Sequence, residues 1–159
     1  MKVSFALILF LAPFLSSAHE GTRARPATIS EVSATAINEL YSKDVKPIFQ
    51  KKCFDCHSQK TNYPWYHKIP GVKQLIESDI KEGLEHIDFE PGFPFKSHAT
   101  PSEDLDEILE VIEKNDMPPM SYRIMHPSSK LTEPEKEIIK KWVQAAKETL
   151  AKESKTETK

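Results

Sequence analysis

The chain has 159 residues, the length of one domain, of which 38% are hydrophobic and 29% charged. Its 22 basic and 24 acidic residues give a formal net charge of −2, so bulk charge provides no reason to expect nucleic acid or a membrane surface as a partner. The modest apolar content predicts a small core if the polypeptide alone supplies it.

The first 18 residues have the pattern of a secretory signal peptide. Lys2 supplies the positive charge, residues 3–15 form an apolar run, and residues 16–18 are small, as at a cleavage site. The run is too short to span a bilayer comfortably, although an uncleaved anchor is the alternative. We therefore expect an exported protein, periplasmic or secreted, with no stable membrane span after cleavage.

The remaining chain reads as one domain with irregular ends. Residues 19–39 show no clear period and predict a flexible lead-in. A single domain is predicted over 40–151, followed by a charged tail over 152–159.

Four segments with helical periodicity predict an all-α domain. They cover about 44–52, about 72–86, the stretch between Ser102 and Pro118, and 132–150. Ser102 is placed to cap the third helix, and Thr132 with Glu135 forms a capping-box pattern at the start of the fourth. The proline- and aromatic-rich segments 58–71 and 87–101 are predicted to be long loops, because neither has an alternating strand pattern.

The segment Cys53–His57 is the most specific chemical signal in the chain. Its Cys-x-x-Cys-His spacing is that of a covalent c-type haem attachment site. Two thiols at this spacing can form thioethers along one edge of the macrocycle, and the next residue, histidine, then becomes the proximal iron ligand. We therefore predict one covalently attached haem c, held by Cys53, Cys56 and His57, around which the helices pack.

Three other interpretations of the two cysteines are alternatives to haem attachment. A structural disulfide is compatible with export. A thioredoxin-like redox pair needs a βαβ context, which the sequence does not show. Half of a zinc site would require ligands from scattered histidines that lack metal-site spacing.

Met117 is the predicted second axial ligand of the iron. It lies where an amphipathic helix ends, and Pro118 and Pro119 force an extended chain there, so its thioether can face the iron. Both axial positions would then be protein ligands, His57 and Met117. Other side chains remain possible sixth ligands, namely Met120, Met125, His67, His126, His86 and His98.

Two further features concern the surroundings of the haem. Tyr63, Trp65 and Tyr66 are predicted to pack on the haem or its rim, with ordinary loop packing as the alternative, and Trp142 is predicted to be core near the haem. Charge is uneven, since residues 40–75 carry seven lysines and two acids and residues 76–117 carry three lysines and thirteen acids. A lysine rim could steer an acidic redox partner, or these runs are simply solvated helix faces.

The order of these motifs resembles the bacterial haem-binding domain family, a branch of the cytochrome c-like proteins. The matching segments span about residues 40–150 and comprise Val45–Phe49 before Cys53–His57, then Thr61–Tyr66, Asp79–Gly83, Met117–Pro119, Tyr122, His126–Pro127 and the capped last helix. The resemblance implies a class I-like cytochrome c fold of about four helices around one haem. It also implies that the helix before Cys53 crosses the last helix near the haem, and that Met117 matches the distal methionine.

The favoured function is one-electron transfer with redox partner proteins, after haem attachment by the cytochrome c maturation machinery. No enzymatic activity is expected in this reading, because a six-coordinate haem exchanges electrons and needs no acid–base residue. The alternatives are a haem-based ligand sensor and a peroxidase-like enzyme. The latter would need an acid–base group such as His67, His86, His98 or Arg123 beside an open iron.

Overall fold

The computed structural model describes residues 29–157. The predicted signal peptide at 1–18 and the lead-in up to residue 28 lie outside the described residues. Within the described range, none of the helices combines the length and the apolar character that a membrane crossing requires.

The first helical run is longer than predicted. Helix α1 covers Glu31–Leu40, a π-helical segment covers Tyr41–Val45, and α2 covers Lys46–Lys52. The predicted flexible lead-in is therefore wrong for residues 31–39, because Ser30 caps α1 through a hydrogen bond from the Ser33 N–H and Ile37 is buried on its inner face.

A single helical turn and a longer helix follow. Helix α3 covers Phe54–His57, and after a loop with a 3₁₀ turn at Trp65–Lys68, α4 covers Val72–His86 as predicted. Two short strands, β1 at Ile87–Asp88 and β2 at Lys96–Ser97, pair antiparallel with Ile87 opposite Ser97. The predicted loop over residues 87–101 therefore contains a short β-hairpin.

The C-terminal half contains the helices that form the other side of the core. Helix α5 covers Pro101–Lys114, α6 covers Met120–Met125 and α7 covers Glu133–Glu157. Thr100 caps α5 in place of the predicted Ser102, because Thr100 and Glu103 bond each other's backbone N–H groups. The predicted Thr132–Glu135 capping box is confirmed, and α7 extends to Glu157 into the predicted tail.

The core is an aromatic cluster between α2, α7 and the hairpin. Tyr41, which is fully buried, contacts Phe49, Phe95 and Trp142 at ring-centroid distances of 5.9, 5.1 and 5.5 Å. Its hydroxyl donates to the Phe89 carbonyl at 2.9 Å. The segment 87–101, predicted to be a long loop, therefore supplies core residues, because Phe89, Phe93 and Phe95 are all buried.

The architecture is mostly helical in the part of the chain that the structure describes, with only the small hairpin as sheet. The predicted all-α fold class is confirmed. The turn of α3 is connected directly to α2, which positions Cys53–His57 at the edge of the core.

Candidate functional site

A large cavity lies between α3, α5 and the segment that follows α5. Its enclosed volume is about 120 Å³, and the space it spans is about 850 Å³ when its open mouth is included. Most of its wall is apolar, formed by Phe49, Ile87, Phe89, Ile108, Val111, Ile112 and Leu131. An apolar wall of this size suits a flat, largely hydrophobic ligand.

The turn of α3 brings the two cysteines and the adjacent histidine to this cavity. The N–H groups of Cys56 and His57 both donate to the Cys53 carbonyl, at 3.1 and 3.0 Å. Cys53, Cys56 and His57 all line the cavity, and the two cysteines are not joined in a disulfide. Burial raises the pKa of Cys53 to about 12 and the pKa of Cys56 to about 11, so both side chains are protonated thiols at neutral pH.

The orientation of the His57 ring is set by two backbone carbonyls. Its Nδ1 lies 3.1 Å from the Gly83 oxygen and 3.0 Å from the Ile87 oxygen. Burial lowers the pKa of His57, so the neutral ring donates its Nδ1–H to these carbonyls and keeps a lone pair on Nε2. This tautomer is the one required to ligate a metal through Nε2.

Gly83 explains how α4 can approach α3 so closely. A Cβ at this position would lie 2.7 Å from the Cys56 carbonyl oxygen, closer than side chains tolerate. The absence of a side chain lets the Gly83 carbonyl reach His57.

Met117 is the predicted distal ligand and it also lines the cavity. Asn115, with φ 59°, ends α5 in a left-handed conformation, and Pro118 and Pro119 after it also line the cavity. Met117 is 43% exposed, whereas Met120 and Met125 are 64% and 55% exposed and do not line the cavity. Among the histidines named as alternatives, only His86 lines it, and its Nε2 lies 2.9 Å from Glu107 Oε2.

The three predicted aromatic residues lie outside the cavity lining. Tyr63 and Trp65 are 55% and 77% exposed, and the Tyr66 hydroxyl lies 2.5 Å from His126 Nε2. Tyr66 instead lines a smaller neighbouring cavity, which shares Asp55, Cys56 and Tyr122 with the main one. The predicted packing of these three aromatic side chains on the haem therefore stays a prediction. Trp142 lies in the aromatic core and does not line the cavity either.

Sequence reasoning misses Tyr122, which lines the cavity beside Met117. Its hydroxyl donates to Asp55 Oδ2 at 2.5 Å, and Asp55 lies between the two cysteines in the chain. The sequence feature that could have indicated a role for Tyr122 is its position among the family's motifs, shortly after Met117–Pro119.

A buried carboxyl group also faces the cavity. Asp104 on α5 is 2% exposed and accepts a hydrogen bond from Ser97 Oγ at 2.9 Å. Burial is the main cause that raises the pKa of Asp104, and Glu107 adds to it, while the Ser97 bond and the nearby His86 and His98 act in the opposite direction.

The raised pKa of Asp104 predicts a pH-dependent loss of stability. The native state holds this proton more tightly than the unfolded chain, so the free energy of unfolding falls as pH rises above the ordinary aspartate pKa of about 3.9. We expect Asp104→Asn, which keeps an acceptor for Ser97, to gain stability relative to the wild type between pH 4 and pH 7. Thermal unfolding of the haem-loaded proteins across that range measures the difference.

The exposed Asp106 on the same helix provides the matched control, since its partner is Lys147 at the surface. Asp106→Asn should show no such rise in relative stability. A difference between Asp104→Asn and the wild type that stays constant with pH would contradict the prediction.

Residues 8–145 match the model of the haem-binding domain family. The chain belongs to this family. The resemblance predicted from the order of motifs is thereby confirmed, and the protein binds haem.

The haem-binding domain is also similar to cytochrome c peroxidase Ccp of Escherichia coli (strain K12), with 30% identity over 127 residues. The match covers 79% of this chain and 26% of the peroxidase, so the chain spans about a quarter of that relative's length. No solved structure matches the chain.

The residues of the cavity fit a haem. The apolar wall can contact the faces of the macrocycle, His57 Nε2 can ligate the iron, and the thiols of Cys53 and Cys56 lie in the same lining. Met117 is the side chain in this lining with a soft sulfur donor for the other axial position.

Proposed function

We propose that this haem-binding domain is an exported monohaem c-type cytochrome that transfers single electrons. Cys53 and Cys56 would hold the haem through thioethers, and His57 and Met117 would be the axial ligands. One observation carries the proposal, namely that these four side chains line a single apolar cavity although Met117 is distant from the others in sequence.

The chain's own residues would prepare the haem for electron transfer. When bound, the haem supplies the one-electron chemistry. The carbonyls of Gly83 and Ile87 hold the His57 ring in the ligating tautomer, so the ring needs no rearrangement during transfer. The apolar wall limits water around the iron, and a thioether ligand favours the reduced state.

The relation to a named cytochrome c peroxidase favours peroxide reduction as a second candidate function. That activity needs an open iron and a nearby acid–base group. Of the groups predicted for this role, only His86 lines the cavity, where it is paired with Glu107. We rank this function second because Met117 lines the same cavity and can occupy the sixth position.

Export and partner choice are also parts of the proposal. The signal-peptide pattern at 1–18 supports a periplasmic location, and haem attachment there would depend on the maturation machinery. The excess of lysines over residues 40–75 supports an acidic redox partner.

The wild-type protein tests the proposal directly. Produced in a host that matures cytochromes, it should have the mass of the processed chain plus one haem, a Soret band and a weak ferric band near ~695 nm, the mark of methionine ligation. The mass of the bare polypeptide with no Soret band would reject it.

Two further measurements separate the alternatives. High-spin ferric features with hydrogen peroxide turnover would favour the peroxidase. Rapid binding of carbon monoxide or nitric oxide to the reduced wild type would favour the sensor.

A further inference from the structure

The segment that carries Met117 contains a short helix with no buried residue. We call residues 117–130 the distal strap. They lie between α5 and α7 in the chain, and Met117, Pro118, Pro119 and Tyr122 among them line the cavity. Helix α6, in the middle of the strap, contains no buried residue, and Met120, Ile124 and Met125 are 64%, 68% and 55% exposed. Apolar burial therefore contributes little to holding α6 in place.

Polar contacts fasten the strap to the segment that contains the two cysteines. The Tyr122 hydroxyl donates to Asp55 Oδ2 at 2.5 Å. The other oxygen of Asp55 accepts from the Asn62 N–H at 3.1 Å and from Asn62 Nδ2 at 3.4 Å, which orients the carboxylate. Hydrogen bonds to an ionised carboxylate are stronger than those between neutral groups.

Neighbouring contacts hold the Tyr122 ring and the far end of the strap. The ring stacks on His126 at a centroid distance of 4.2 Å with an interplanar angle of 6°, and His126 Nε2 lies 2.5 Å from the Tyr66 hydroxyl. Lys52 Nζ, just before Cys53, donates to the carbonyls of Ser128 and Lys130 at 2.5 and 3.1 Å. The strap is thus tied to Asp55 within the Cys53–His57 turn, to Lys52 before the turn and to Tyr66 after it.

Tyr122 also lines the cavity with Met117 and Cys56, and it follows Met117 by only five residues in the chain. We propose that the Tyr122–Asp55 hydrogen bond is a latch that keeps Met117 on the iron, and that the sixth position opens to external ligands when the latch is lost. Tyr122 is a positioning residue in this proposal, which rests on the proposed ligation by Met117.

The expected effect follows from the strength of the bond. Losing one hydrogen bond to a charged acceptor shifts an equilibrium by roughly ten- to a hundredfold, and the lower value applies because Tyr122 is only partly buried. An external ligand must compete with Met117 for the iron, so its apparent affinity rises as the strap opens.

The test is an imidazole titration of the ferric haem-loaded protein. Tyr122→Phe should bind imidazole about tenfold more tightly than the wild type. It should also show a weaker ~695 nm band and a lower reduction potential. Tyr63→Phe is the matched control, because Tyr63 is exposed and does not line the cavity, and it should behave as the wild type.

A second variant keeps the test decisive if Tyr122→Phe fails to load haem. Asp55→Asn retains an acceptor but loses the charge, so it should tighten imidazole binding less than Tyr122→Phe does. In the double variant, the change in the free energy of imidazole binding should be smaller than the sum of the changes in the two single variants, since both substitutions act on one hydrogen bond.

The two proposals fail in distinguishable ways. A wild-type protein with one covalent haem but no ~695 nm band would overturn ligation by Met117, and the latch with it. A wild-type protein with that band, together with Tyr122→Phe and Asp55→Asn variants of unchanged imidazole affinity and potential, would overturn the latch alone.

Discussion

The double variant Cys53→Ala/Cys56→Ala should be recovered without covalently bound haem. Both thiols line the cavity and neither is engaged in a disulfide, so their removal leaves no sulfur in Cys53–His57 that could form a thioether. The haem should then be extractable by acidified acetone, whereas the wild type should retain it through extraction and denaturing electrophoresis. Intact mass should fall from the haem-loaded value to that of the polypeptide.

The single variants provide the graded comparison. Cys53→Ala and Cys56→Ala should each keep one thioether and a haem mass, at lower yield. Met120→Ala, a substitution outside the cavity, should retain haem as the wild type does. A double variant that still carries the mass of a haem after denaturation would show that attachment does not use these thiols.

Replacing Met117 should change the spectrum, the ligand binding and the reduction potential of the haem, while the haem stays attached. Met117→Ala removes the proposed sulfur ligand, so the ~695 nm band should disappear and the reduced protein should bind carbon monoxide rapidly. The reduction potential should fall by on the order of 100 mV, because a thioether favours ferrous iron more than water or a nitrogen ligand does. Optical spectroscopy, carbon monoxide flow experiments and redox titration measure the three quantities.

Met120 and Met125 are suitable controls for this experiment. They lie on the same strap but outside the cavity lining, so Met120→Ala and Met125→Ala should leave the spectrum unchanged. Survival of the low-spin spectrum and its ~695 nm band in Met117→Ala would assign the ligand elsewhere. The variant that then lost the band would identify the true ligand.

Several features of the protein could be predicted from the sequence because they depend on neighbouring residues. The relative positions of Cys53, Cys56 and His57 are determined within one helical turn. In the structure the N–H groups of Cys56 and His57 donate to the Cys53 carbonyl in this turn. Helix α4 and the start of α7 follow from apolar period and capping, which are also local.

Other elements could not be predicted because their stabilising partners are remote. Helix α1 has no clear apolar period in the sequence, and it is ordered by burying Ile37, whose carbonyl accepts from Trp142 Nε1 at 3.2 Å. The segment with Phe89, Phe93 and Phe95 has neither helix nor strand periodicity. Its aromatic rings enter the core because the hairpin turns them toward Tyr41 and Trp142.

The candidate site likewise combines residues placed by neighbours in sequence with residues placed by tertiary contacts. By itself the sequence determined the Cys53–His57 turn and the identity of its three proposed haem-binding side chains, since their spacing along the chain sets their relation in space. Only the tertiary structure decided which distant side chains share that cavity. It placed Met117, which the sequence predicts as a ligand, in this lining and added Tyr122 and the buried Asp104. It also left Tyr63 and Trp65 at the surface, because packing between helices determines which faces of separate segments meet.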